Sequence, residues 1–87
     1  MEVHAIADVA SAVRGRRKDL NLSQAALARL AGLSRKWISE FEAGKTTAEF
    51  ALVMRVLEAL GFRLELDLPE TPSTLDLDTL LEEHRRP

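Results

Sequence analysis

The chain has 87 residues, 46% of them hydrophobic and 30% charged, and a formal net charge of −2, which is enough for one domain whose core is marginal in a monomer. It contains no cysteine, and its two histidines, His4 and His84, lie near opposite ends, so disulfide frameworks, thiolate zinc sites, cysteine nucleophiles and a histidine metal pair are all excluded. The longest apolar run, Phe50–Met54, falls far short of the ~20 residues of a membrane span, and Glu2, His4 and Asp8 leave no basic leader of the secretory kind; the expectation is a cytoplasmic protein with no membrane association.

Ile6, Val9, Ala10 and Val13 recur at helical spacing and predict a first helix from about Ile6 to Lys18. Asn21, Leu22 and Ser23 interrupt it. Ser23 is a good N-cap for a second helix, Gln24–Ala31, in which Leu27, Leu30 and Ala31 form the buried stripe and Gly32 sits at the left-handed terminus. Ser34 caps a third helix, Arg35–Ala43, with Ile38 and Phe41 inward and Gly44 as terminator. Thr46 and Glu49 have the Thr-x-x-Glu spacing of a capping box opening a fourth helix that runs to Leu60 and closes at Gly61.

From Phe50 to Leu60 only Arg55 and Glu58 are polar. Apolar residues on most sides of a helix imply burial on two faces, and a domain this small cannot supply both, so a second chain is the simplest source of cover. After Gly61 the period changes: Arg63, Glu65 and Asp67 alternate with Leu64, Leu66 and Leu68, the pattern of a half-buried strand. Nothing else in the sequence reads as a strand, and a lone strand leaves its backbone groups unpaired. It pairs with a symmetry mate or another protein, or else is an extended arm without a partner. Residues 1–68 therefore form the domain, and 69–87 a linker marked by Pro69 and Pro72 followed by an acidic tail. In that tail Leu77, Leu80 and Leu81 make a short amphipathic pattern with Asp76 as its cap, either docked on the protein's own core or kept for a partner.

The charge is divided. Residues 14–45 hold eight basic and three acidic side chains, whereas residues 46–87 hold four basic and nine acidic ones. A local basic patch, not the total, sets affinity for phosphate. This patch carries a motif: Ala28 is small where helices two and three meet, Gly32 supplies positive φ at the turn, and Ile38 and Phe41 anchor helix three. Meeting these demands together marks a helix-turn-helix over residues 22–45.

The run Leu22, Ser23, Gln24, Leu27, Ala28, Gly32, Ser34, Ile38 and Glu42 to Lys45 resembles the Xre (phage-repressor and Cro) family, with the likeness extending from Val13 to Leu60. One long helix followed by a strand, through Leu68, is similar to the HipB-like antitoxins of type II toxin–antitoxin operons. The resemblance implies a mainly α fold: a four-helix domain plus one C-terminal strand that pairs across a homodimer. It also implies an inverted-repeat operator on double-stranded DNA and a HipA-like kinase toxin as partner. The strand in place of the fifth helix of many repressors departs from the broader family pattern.

Within that resemblance, Ser34, Arg35, Lys36 and Glu40, with Ser39 beside them, match positions that read base edges. Arg and Lys favour guanine and Glu accepts from cytosine; phosphate contact is the alternative for Arg35 and Lys36, and pairing with Lys36 the alternative for Glu40. Gln24 matches a phosphate-binding position at a helix N-terminus, and Lys45, Thr46 and Thr47 would clamp the backbone on the other side, unless they serve only to cap. Arg17 and Glu42 match a buried structural ion pair, and Trp37 is expected against the turn. Val53, Val56, Leu57, Leu60, Leu64, Leu66 and Leu68 are expected at the dimer interface. No catalytic constellation or Gly-rich phosphate loop is present, so an enzyme is not expected, and neither a cofactor nor a metal is implied. The alternatives are a stand-alone regulator without a toxin, and an interaction module whose helix-turn-helix is vestigial. Donors at Gln24, Arg35, Lys36 and Lys45 argue against the last.

Overall fold

The computed structural model describes residues 2–45, 47–68 and 81–85. Four helices follow in order: α1 (Ile6–Asp19), α2 (Gln24–Ala31), α3 (Arg35–Glu42) and α4 (Phe50–Ala59). The fold is mainly helical. α1 begins where the Asp8 carboxylate accepts from the backbone N–H groups of His4 (2.8 Å) and Ala5 (3.1 Å), satisfying two donors at the helix entrance. It ends on Asn21, which takes the left-handed conformation at φ 57°.

The Ser23 hydroxyl accepts from the N–H of Ala26 at 3.0 Å, and Ser34 does the same for Trp37 at 3.0 Å. These caps set the starts of α2 and α3. Between the two helices Gly32 lies at φ 72°. A Cβ at that position would stand 2.8 Å from a guanidinium nitrogen of Arg55, so backbone conformation and close approach both favour glycine there.

One core joins the four helices. Ala10 and Val13 enter it from α1, Leu27, Ala28 and Ala31 from α2, Ile38 and Phe41 from α3, and Val53, Val56, Leu57 and Leu60 from α4 and its end. Val13, Leu27, Ile38, Phe41, Val56 and Leu60 are essentially inaccessible, and burial of each side chain is worth ~1.5–3 kcal/mol.

Three expectations need correction. Leu30 is 63% exposed: at about 100° per residue it lies off the arc through Leu27, Ala28 and Ala31 that faces the core. The capping box does not form, because Glu49 is extended (φ −67°, ψ 129°) and is itself the N-cap of a helix that begins at Phe50. Its carbonyl accepts from Leu52 (3.0 Å) and Val53 (3.1 Å), while the preceding Ala48 packs on the core. The chain is thus bridging α3 to α4 where the spacing suggested a first turn; Thr46 lies outside the described residues.

The third correction concerns α4. Val53, Val56, Leu57 and Leu60 lie in the chain's own core, so those four side chains are not free to form a dimer interface. The domain is able to cover that face itself because α2 packs against α4. What α4 leaves outward is Phe50, 65% exposed, together with Ala51, Arg55 and Glu58.

Past Gly61 (φ 78°), residues 62–68 carry neither helix nor paired strand in the single chain. Leu64, Leu66 and Leu68 are exposed. Residues 81–85 are helical, and the rest of the expected tail pattern lies outside the described residues. Among the described residues no helix is long and apolar enough to cross a membrane, and no cluster of potential metal ligands occurs.

Candidate nucleic-acid interface

With Ile38 and Phe41 turned inward, α3 presents Arg35, Lys36, Ser39 and Glu40 on its opposite side, one helical turn deep. Ser34, Arg35 and Lys36 are exposed, and Ser39 and Glu40 are half-buried. Among the described residues neither Arg35 nor Lys36 takes part in an ion pair. Their donors are therefore uncommitted, at the N-terminal end of a short helix held from behind by its apolar face.

The support behind α3 is ionic as well as apolar. Arg17 of α1 donates from Nε to Glu42 Oε2 at 2.8 Å and from Nη2 to Glu42 Oε1 at 2.9 Å, and its Nη1 donates to the carbonyl of Leu22 at 2.8 Å. Gln24 Nε2 donates to Glu42 Oε1 at 3.3 Å. The two charged side chains retain only 10% and 3% of their exposure. A two-pronged guanidinium–carboxylate contact fixes orientation as well as distance. The carboxylate also holds the Arg17 guanidinium above its ordinary pKa. This network locks the end of α1, the entry of α2 and the end of α3 into one unit. Gln24 is thus attached by its amide nitrogen to the same carboxylate that anchors α3, a link that sequence spacing did not reveal.

At the far end of α3, Glu40 pairs with Lys45 (Nζ to Oε2, 3.1 Å), and not with Lys36. Gly44 at φ 99° turns the chain back, and the N–H of Lys45 donates to the carbonyl of Glu40 at 3.1 Å. The i, i+5 spacing lies outside ordinary helix pairing and becomes close only through this turn. Trp37 is half-buried and stacks on Phe41, with centroids 5.1 Å apart and planes at 14°. A shallow cavity lined by Trp37, Glu40, Phe41, Lys45, Thr47 and Ala48 lies beside the stack. Thr47 is exposed. Elsewhere Arg16 donates from Nε to the carbonyl of Leu60 at 3.1 Å, a cationic cap on the end of α4. Arg16 is three residues beyond the inward Val13, and its spacing in sequence does not reveal a contact with a carbonyl 44 residues away.

A profile of the helix-turn-helix domain family matches residues 8–68. The chain belongs to that family. It is 41% identical over 63 residues to y4mF, an HTH-type transcriptional regulator of Sinorhizobium fredii (strain NBRC 101917 / NGR234), across 72% of this chain and 83% of that one. In three dimensions this helix-turn-helix protein is similar to HipB in a HipB–O1–O2 complex (TM-score 0.73, 20% identity, covering 78% of this chain and 99% of that one). It is equally similar to a chain of a HipA–HipB–O2–O3 complex (TM-score 0.74, 20% identity, 80% and 99% covered). The chain thus combines a helix-turn-helix domain with a fold like that of HipB.

Proposed function

We propose that the protein is a homodimeric repressor that reads an inverted-repeat operator through α3 and serves as the antitoxin of a HipA-like kinase toxin, repressing its own operon. The observation that carries the DNA reading is the uncommitted donor face of Ser34, Arg35 and Lys36 on a helix braced by the Arg17–Glu42 pair. An Arg or Lys there is suited to guanine O6 and N7, and Glu40 to cytosine N4. Gln24 at the α2 entry, with Lys45, Thr46 and Thr47 on the other flank, would hold phosphates.

Dimerisation is supported by the exposed Leu64, Leu66 and Leu68, which alternate with Arg63, Glu65 and Asp67, and by the exposed Phe50 of α4. Pairing residues 63–68 as a strand across a two-fold axis would satisfy their backbone and cover the leucines. The toxin reading is supported by the likeness to a chain of a HipA–HipB–O2–O3 complex, and the acidic tail, residues 69–87, is the part assigned to the toxin. The 41% identity to y4mF, an HTH-type transcriptional regulator, favours a second reading: a stand-alone regulator without a toxin.

Selection from a randomised duplex pool tests the first claim. The expected product is a two-fold repeat with half-site centres about 10 bp or a multiple of that apart. Recovery of no common sequence would overturn sequence-specific repression. Affinity purification of the tagged protein from its host decides between the two readings by whether a kinase-like chain co-purifies.

A further inference from the structure

The Glu40–Lys45 pair places a negative and a positive group of the same surface in contact before any DNA is present. Two separate links hold them there: the ion pair at 3.1 Å and the backbone bond from Lys45 N–H to the Glu40 carbonyl, also 3.1 Å, across left-handed Gly44. The side chains keep 40% and 55% of their exposure, so either can exchange its partner for a group on an approaching ligand without opening the core. Arg35 and Lys36 on the same helix have no such internal partner among the described residues.

We infer that Glu40 withholds Lys45 from non-cognate DNA, so that one phosphate contact forms only where Glu40 has found a donor on a base. The inference rests on the DNA-binding reading above and deepens it. At a suitably placed cytosine or adenine, the exocyclic amine takes over Glu40 and releases the Lys45 ammonium to a phosphate. Where guanine or thymine stands at that position, the groove offers Glu40 only acceptors or a methyl group; moving Lys45 to the backbone would leave a carboxylate unpaired against a polyanion. Lys45 then stays on Glu40, and the phosphate contact is not made. A single ion pair thereby converts base identity into a difference in backbone contacts, and Glu40 determines specificity beyond its own hydrogen bond.

The test needs no knowledge of the operator. Binding to a mixed-sequence duplex of about 20 bp is measured by fluorescence anisotropy across a salt series for the unsubstituted protein, Glu40→Gln, Lys45→Ala and the double variant. Glu40→Gln should bind this non-cognate duplex about 2- to 5-fold tighter, the range set by an exposed ion pair. The slope of log affinity against log salt should steepen by about one unit, for one added phosphate contact. In the Lys45→Ala background the same substitution should give no gain. If the gain persists there, Glu40 merely repels the backbone and the inference is overturned while DNA binding stands. If the unsubstituted protein binds no duplex even at low salt, the DNA-binding reading fails and takes the inference with it.

Discussion

Residues 22–45 and residues 62–68 are equally patterned in sequence, yet the structure treats them differently. In the first stretch nearly every pattern finds its partner inside the chain: Ser23 and Ser34 cap their own helices, Ile38 and Phe41 enter the core, and Glu42 meets Arg17. In the second, Leu66 and Leu68 remain 95% and 84% exposed, and the one ion pair among the described residues, Arg63–Glu65, is between residues two apart on the polar side of the alternation. A helical pattern is satisfied by neighbours three and four residues away and by one packed face. A strand pattern is satisfied only by another strand. The first region is complete in one chain, and the second asks for a second chain.

Breaking the complete region should cost the most. Glu42→Ala leaves the Arg17 guanidinium buried with only the Leu22 carbonyl, and removal of one partner of a buried pair costs ~3–5 kcal/mol. Chemical denaturation should show a loss of that size, together with weaker DNA binding because α3 loses its tie to α1. A loss below about 1 kcal/mol would be the value of a surface pair and would contradict the bracing role.

The incomplete region should respond at a different level. Leu66→Asp changes a side chain that is 95% exposed in the single chain, so protomer unfolding should shift by no more than about 0.5 kcal/mol. If the strand pairs across a dimer, a charge in that interface should cost association about 2 kcal/mol or more, as for an interface hot spot. Sedimentation at several concentrations separates the two effects. An unsubstituted protein that stays monomeric and folded at micromolar concentration would remove the dimer from the proposal.

The same division explains what could be read from the sequence. The bounds of α2 and the start of α3 were legible because Ser23, Gly32 and Ser34 act on their immediate neighbours. The start of α4 was not: Thr46 and Glu49 have the right spacing, but the chain needs those positions to cross from α3, and local chemistry carries no information on that distance. Leu30 and the inward set of α4 failed for a related reason. Periodicity shows that a face is apolar without showing which arc of it the other helices cover. At the candidate site, Arg35 and Lys36 were legible as exposed donors on the side opposite Ile38 and Phe41. The Glu40–Lys45 contact was hidden, since it depends on the turn at Gly44 rather than on helix geometry.

A smaller effect is expected on the reading surface itself. Arg35 is exposed and outside any ion pair among the described residues, so Arg35→Ala should leave the melting temperature unchanged. At a selected operator it should cost ~1–3 kcal/mol and relax preference at one base pair. Competition with a mixed-sequence duplex distinguishes this from a phosphate contact, which would weaken both duplexes alike. Equal weakening would move Arg35 from base reading to backbone binding.

The smallest effect lies at the entrance of α1, far from either region, and tests whether a surface cap is electrostatic. The Asp8 carboxyl accepts from the N–H groups of His4 and Ala5, and these bonds hold its pKa below the ordinary value. A group whose pKa is depressed by folding adds stability that is fully present above its unfolded value and is lost as pH falls through the folded one. The Asp8 share should therefore be constant near neutrality and fade below about pH 4. Asp8→Asn keeps the side chain's shape and an acceptor oxygen but removes the charge. Its deficit against the unsubstituted protein in denaturant titrations should shrink as the pH is lowered through the acid range. A deficit that persists undiminished in acid would mean that shape and hydrogen bonding, not the carboxylate charge, make the cap.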